Sequence, residues 1–191
     1  MPTDGEQKLL AAATSEFAEC GLAGARVDRI AARASANKQL IYAYFGDKQG
    51  LFDAVLKEQG AELNAAVPLD ATRLADWVID LFDFIVQHPE IMRLAAWQFL
   101  ERPEVVRDTL LSDYAPYIKS VKKVQAAGDI SSEYEALDLI VLLAGLATSW
   151  YNAFAPLHGV AGDSTWSPRT LNRHRRALRR AAEALSTPCV R

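Results

Sequence analysis

Between residues 26 and 48 the chain gathers Arg26, Arg29, Arg33, Lys38 and Lys48 against Asp28 and Asp47, a local charge of +3. Inside that segment the stretch Lys38-Gln39-Leu40-Ile41-Tyr42-Ala43-Tyr44-Phe45 interleaves two kinds of side chain. At helical spacing Leu40, Ile41 and Phe45 take an inner face and leave Lys38, Gln39 and Tyr42 on an outer one. Lysine and glutamine hydrogen-bond the edges of bases, and tyrosine can meet a base or a phosphate. Lys48, at the start of the next helix, suits a phosphate through its own charge and the neighbouring helix-end N–H groups.

Such chemistry needs a helix held clear of its own domain, and the flanking residues supply the means. A first helix is expected over residues 4–20, with Thr3 and Glu6 at capping-box spacing, Leu10, Ala13 and Phe17 on one face, and Gly21 at its end. A second, over 27–34, turns Val27, Ile30, Ala31 and Ala34 inward, and Arg29 and Arg33 share another face. Ser35, Ala36 and Asn37 make a tight turn with Asn37 as N-cap, and the third helix, 38–45, stops at Gly46. Asp47 caps a fourth that reaches about residue 65 with Leu51, Phe52, Val55 and Leu56 inside. Helices of two turns are unstable alone, so the second and third must pack on each other and on the first. The major groove admits one α-helix, which a helix-turn-helix presents from its second member.

Charge is distributed unevenly along the 191 residues. Residues 1–25 carry −3, residues 49–163 carry −9 and residues 164–191 carry +6, for a net −3. A short basic segment thus fronts an acidic body, and because attraction to a polyanion acts over about a Debye length, roughly 8–10 Å, the body does not forbid it. The arginines Arg169, Arg173, Arg175, Arg176, Arg179 and Arg180 are expected to solvate the last helix and pair with acidic residues rather than to touch DNA. Cys20 and Cys189 have no metal or redox spacing, which fits a reduced, cytoplasmic compartment. No signal peptide is read at the start, and the apolar run 136–155 is interrupted by Asp138, Thr148, Ser149 and Asn152, so no membrane partner is expected.

Beyond Pro68 the helical periods lengthen. Leu74, Trp77, Val78, Leu81, Phe82 and Ile85 form an apolar stripe opposed by Asp76, Asp80 and Asp83, and His88-Pro89 ends that helix. A helix over 90–100 follows, then one from Pro103 that Pro116 is expected to restart, then a helix over 136–155 apolar nearly all round, and a last one over 168–185. Strand patterns are absent from the sequence, which predicts an all-α fold.

The run Val27-Asp28-Arg29-Ile30-Ala31-Ala32-Arg33-Ala34, then Asn37 through Phe45 and Gly46-Asp47-Lys48-Gln49-Gly50-Leu51-Phe52, resembles the DNA-binding signature of the TetR family over roughly residues 5–60. The family's short helix carries an Ile-Ala pair, its recognition helix reads Leu/Ile-Tyr-x-His/Tyr-Phe, and a Lys three residues later precedes a Leu-Phe pair. The resemblance implies an N-terminal three-helix helix-turn-helix domain, 1–48, a linking helix over about 47–66, and a C-terminal helical ligand-binding and dimerisation domain, 69–191. It implies a homodimer on double-stranded DNA with a palindromic operator, a small-molecule effector and no cofactor, hence a regulator, with repression the default. Lys38, Gln39 and Tyr42 would face bases. Tyr44, Lys48 and residues at the start of the second helix, Arg26 and Arg29, would hold phosphates beside Asn37. Two positions depart from the pattern. Arg26 stands where Ser or Thr usually caps the second helix, and Ser35-Ala36 replaces the usual Gly-Val of the turn.

For the second domain, Trp77, Phe82, Trp97, Tyr117, Trp150, Tyr151 and Phe154 are expected to line an apolar pocket for a hydrophobic effector, with Gln98, Asn152 or His158 orienting it. The helices over 136–155 and 168–185 are expected to form the dimer interface. A ligand-binding helical dimer without specific DNA binding is the alternative. His88, His158 and His174 sit in no recognised motif, and no Gly-rich phosphate loop, nucleophile elbow or metal spacing is present in the sequence, so catalysis is not expected.

Overall fold

The computed structural model describes residues 3–153, 159 and 166–188, with backbone alone over 104–113; Phe154 and His158 lie outside the described residues. Among the described residues the secondary structure is helical throughout, in the order α1 (Asp4–Gly24), α2 (Val27–Arg33), α3 (Lys38–Phe45), α4 (Lys48–Ala66), α5 (Leu74–Gln87), α6 (Pro89–Glu101), α7 (Pro103–Ala127), α8 (Ala136–Asn152) and α9 (Pro168–Ser186). No helix among them is long and apolar enough to cross a membrane.

The chain divides into two compact units. The first comprises Met1–Ala65 and His88–Leu110, the second Ala66–Gln87 and Leu111–Arg191. The sequence boundary near Pro68 misses the return of 88–110 to the first unit, where α6 packs on α1. Local periodicity reports that α6 is amphipathic but not which partner covers it. The core of this unit gathers Leu9, Leu10, Ala13 and Phe17 of α1, Ile30 of α2, Ile41 of α3, Leu51, Phe52 and Val55 of α4, and Leu94 of α6. Phe17 and Phe52 meet edge to face with centroids 4.9 Å apart.

The N-terminus of α1 carries the expected capping box, Thr3 Oγ1 accepting from the Glu6 N–H and the Glu6 carboxylate accepting from the Thr3 N–H. The long part of α1 closes at Gly21 as expected, where φ is +69°, and one further turn follows to Gly24.

In the second unit α5 packs against α8 and α9, and α8 against α9. Val78, Leu81, Phe82 and Ile85 of α5, Leu139, Ile140, Leu143 and Ala147 of α8, and Leu171, Leu178 and Ala182 of α9 are buried. Pro116 does not restart a helix: α7 runs through it. Proline removes one backbone donor from the ladder, and Pro116 itself is exposed. Two of the α9 arginines pair with acidic residues, as expected. Arg175 Nε donates to Asp83 at 2.6 Å and Arg179 Nη1 to Asp76 at 2.7 Å.

Candidate nucleic-acid interface

A buried acid sets the first two helices against each other. Glu16, on α1, has no exposed side-chain surface. Its Oε1 accepts the Arg26 backbone N–H at 3.0 Å and the Arg29 guanidinium through Nε at 2.8 Å and Nη2 at 2.6 Å; Arg33 Nη1 lies 3.7 Å from Oε2. Burial on its own drives Glu16 upward. The Arg26 N–H, the Arg29 hydrogen bonds and the charges of Arg29 and Arg33 outweigh it and hold the carboxyl below the usual glutamate value. Arg33 reaches on to Glu19, at 3.0 Å. Arg29 and Arg33, which share a face as expected, thus meet the end of α1 as struts. Nothing in the spacing of an apolar α1 face marks Glu16 as the buried member; the signal is the pair of arginines four residues apart on α2, which need an anion across from them.

The loop from α1 to α2 is tied down group by group. Lys48 Nζ donates to the carbonyls of Ala23 and Ala25, at 3.3 and 3.2 Å. The Ala25 N–H donates to Gly21, and the Leu22 and Ala23 N–H groups donate to Glu101 of α6. Arg26 stands at the N-cap of α2 with no side-chain cap bond, as its replacement of a hydroxyl residue implies.

The turn to α3 confirms the consequence of losing glycine: Ser35 sits at φ +51°, in the left-handed region that costs a residue with a Cβ about 1–2 kcal/mol. Asn37 Oδ1 accepts from the Gln39 N–H at 2.9 Å and caps α3, so its amide is engaged by its own helix. On α3, Ile41 is fully buried and Phe45 is half-buried against the core. Leu40 is not an inner residue. It is 38% exposed, because an eight-residue helix on a small core buries one row, and that row passes through Ile41 and Phe45. The outer surface therefore reads Lys38, Gln39, Leu40 and Tyr42, with Tyr42 50% and Tyr44 44% exposed. Lys38 Nζ lies 3.1 Å from Asp28 of α2. At the α3–α4 corner Asp47 Oδ1 accepts from the Gly50 N–H at 2.7 Å. A Cβ on Gly50 would stand 2.1 Å from the Phe45 carbonyl oxygen, so only glycine permits this approach.

Known proteins match this arrangement. The sequence profile of bacterial regulatory proteins of the tetR family matches residues 9–55, and that of a tetracyclin repressor-like C-terminal domain matches residues 73–183. The HTH-type transcriptional repressor SCO4008 of Streptomyces coelicolor is 40% identical over 149 residues, 76% of this chain and 78% of that protein. The chain belongs to the TetR family. The HTH-type transcriptional repressor NicS of Pseudomonas putida is 34% identical over 101 residues, 49% of this chain and 48% of NicS. The structure of SCO4942 from Streptomyces coelicolor superposes with a TM-score of 0.84 at 31% identity, covering 94% of this chain and 97% of that one. This TetR-family protein is a DNA-binding transcriptional regulator with a helix-turn-helix N-terminal domain and a helical C-terminal domain. TetR-family regulators bind DNA and act as dimers.

In this TetR-family chain the residues expected to line a pocket do not all belong to one unit. Trp97 lies in the first, where its indole Nε1 donates to the Ala18 carbonyl at 3.3 Å and its ring packs where a Gly21 Cβ would stand. Trp77, Phe82, Tyr117, Trp150 and Tyr151 lie in the second unit. There Phe82 is buried, and the ring of His174 packs at a tilt against both Phe82 and Trp150, with centroids 5.3 and 4.7 Å away. His174 Nε2 is 3.5 Å from Ser149 Oγ. The Arg175 guanidinium lies 5.7 Å from the Phe82 centroid. Sequence reading missed His174, because a lone histidine on a basic helix shows no partner until α5 and α8 are brought to it.

Proposed function

We propose that the chain represses transcription as a homodimer whose two α3 helices enter successive major grooves of a palindromic operator, and that a small hydrophobic effector releases it. The observation that carries this reading is the outer row of α3, where Lys38, Gln39 and Tyr42 stand exposed over the buried Ile41. Lys38 and Gln39 read base edges and Tyr42 meets a base or a phosphate. Tyr44, Arg26 and the start of α2 hold phosphates. Arg29 and Lys48 serve the same surface, Arg29 from its strut on Glu16 and Lys48 from its anchor on the α1–α2 loop. Asn37 fixes the start of α3.

The dimer is formed by the exposed apolar face of α8, with Leu137, Val141 and Leu142, beside the small residue Gly145, together with α9. The effector meets aromatic side chains of the second unit, drawn from Trp77, Phe82, Tyr117, Trp150 and Tyr151. Its release of DNA needs only a stronger hold on one spacing of the two recognition helices than on the other, about 1–3 kcal/mol of coupling.

The test is a mobility shift on DNA upstream of the chain's own gene with wild type, Lys38→Ala and Tyr42→Ala. The reading expects retarded DNA for wild type and weakened complexes for both variants. Unchanged binding in both would reject α3 as the reading helix.

A further inference from the structure

At Gly21 two helix ends face each other: the carbonyls that close the long part of α1, and the N–H groups that open its last turn. Such ends leave backbone groups without intrahelical partners and carry opposite partial charges. One row of α6 supplies both kinds of partner. Arg93, Trp97 and Glu101 are spaced four residues apart, so they line one side of that helix. Arg93 Nε donates to the Ala18 carbonyl at 2.7 Å and Nη2 to Glu19 at 3.5 Å, and Trp97 Nε1 also donates to Ala18. Glu101 takes the other end, Oε2 accepting from the Leu22 N–H at 2.7 Å and Oε1 from the Ala23 N–H at 3.2 Å. The cation and the indole N–H meet the carbonyl end, and the carboxylate meets the N–H end. Gly21 is required twice over, by its φ of +69° and because a Cβ there would lie 2.8 Å from the Trp97 ring and 2.9 Å from Glu101 Oε1.

We infer that Arg93, Trp97 and Glu101 are positioning residues for DNA binding: a clamp on the break in α1 that fixes where the chain leaves for α2, and so where α2 and α3 stand. The partners of the clamp are backbone groups, which sets the direction of the following segment rather than merely burying apolar area. That segment is short. Within it the Ala23 and Ala25 carbonyls hold Lys48 and the Arg26 N–H holds Glu16, so a shift at Leu22 is passed directly to the start of α2 and the start of α4. The inference rests on the DNA reading of α3.

The experiment uses the full chain and a labelled duplex enriched by the wild type from a randomised pool. Affinity is measured well below the melting temperature, alongside hydrogen exchange at the Leu22 and Ala23 amides. Glu101→Ala is expected to speed exchange at those two amides and weaken duplex binding roughly threefold to thirtyfold. Glu101→Gln, which keeps one accepting oxygen, restores part of both. Val55→Ala, a truncation in the fully buried core of the same unit, controls for lost stability and is expected to bind nearly as wild type. Glu101→Ala binding as tightly as wild type, or no more weakly than Val55→Ala, overturns the inference alone. A wild type that enriches no duplex overturns the DNA reading of α3 and the inference with it.

Discussion

Arg29 Nη2 lies 2.6 Å from Oε1 of Glu16, an acid with no exposed surface facing a guanidinium that is half exposed. The pair joins α1 to α2 at the corner that leads on to α3. A buried carboxylate so placed is stable only while its cations remain.

Glu16 titrates with a definite sign. Its carboxyl is held below the usual glutamate value, so the unfolded chain binds its proton first as pH falls. The stabilisation is complete above the unfolded value of about 4.3 and is lost as pH falls through the lowered native value. Urea unfolding at a series of pH values should show a loss below pH ~4–5 that is shallower in Glu16→Gln. That variant should also be less stable near neutrality by about 2 kcal/mol.

Ser35→Gly should stabilise the protein. Relief of the left-handed strain, about 1–2 kcal/mol, exceeds the added freedom of the unfolded chain, about 0.4–1 kcal/mol. A rise in the urea midpoint with unchanged slope is the expected outcome; a fall would show that the serine side chain contributes something its backbone angle hides.

Two neighbours on α3 should separate folding from reading. Ile41→Ala removes a fully buried side chain and should cost about 2–5 kcal/mol of stability. Tyr42→Ala should leave stability within about 0.5 kcal/mol while weakening operator binding by about 1–3 kcal/mol. Calorimetry and a fluorescence titration on the same samples distinguish the two.

Val141→Asp on the exposed face of α8 should turn a dimer into a monomer in sedimentation without loss of helicity, because Val141 is exposed in the isolated chain and a charge is costly only where an apolar partner covers it. A variant that sediments like wild type would place the dimer contact elsewhere.

Asp76 of α5 pairs with Arg179 of α9 on the surface of the second unit, and hydrogen bonds from Arg179 and then Arg73 lower its pKa. A double-mutant cycle on Asp76 and Arg179 should give well under about 1 kcal/mol, shrinking with added salt, because exposed pairs are screened.

The amino-acid sequence carried most of what depends on neighbours a few residues apart, the helix that runs through Pro116 excepted. The Thr3 and Asn37 caps, the Asp47 start of α4, the uncapped Arg26 and the positive φ at Ser35 follow from local chemistry that side chains impose on the adjacent backbone. The TetR-family signature was legible for the same reason, being packed into one short segment. The tertiary structure decided what distant segments share. It buried Glu16 beneath Arg29, turned Leu40 outward, brought His174 against Phe82 and Trp150, and returned α6 to α1 so that Trp97 and Glu101 grip a helix some eighty residues earlier, at separations of 79 and 78–79. Periodicity marks an apolar face but does not name what covers it. A buried charge or an orphaned helix end is likewise settled only when a partner arrives from elsewhere in the chain.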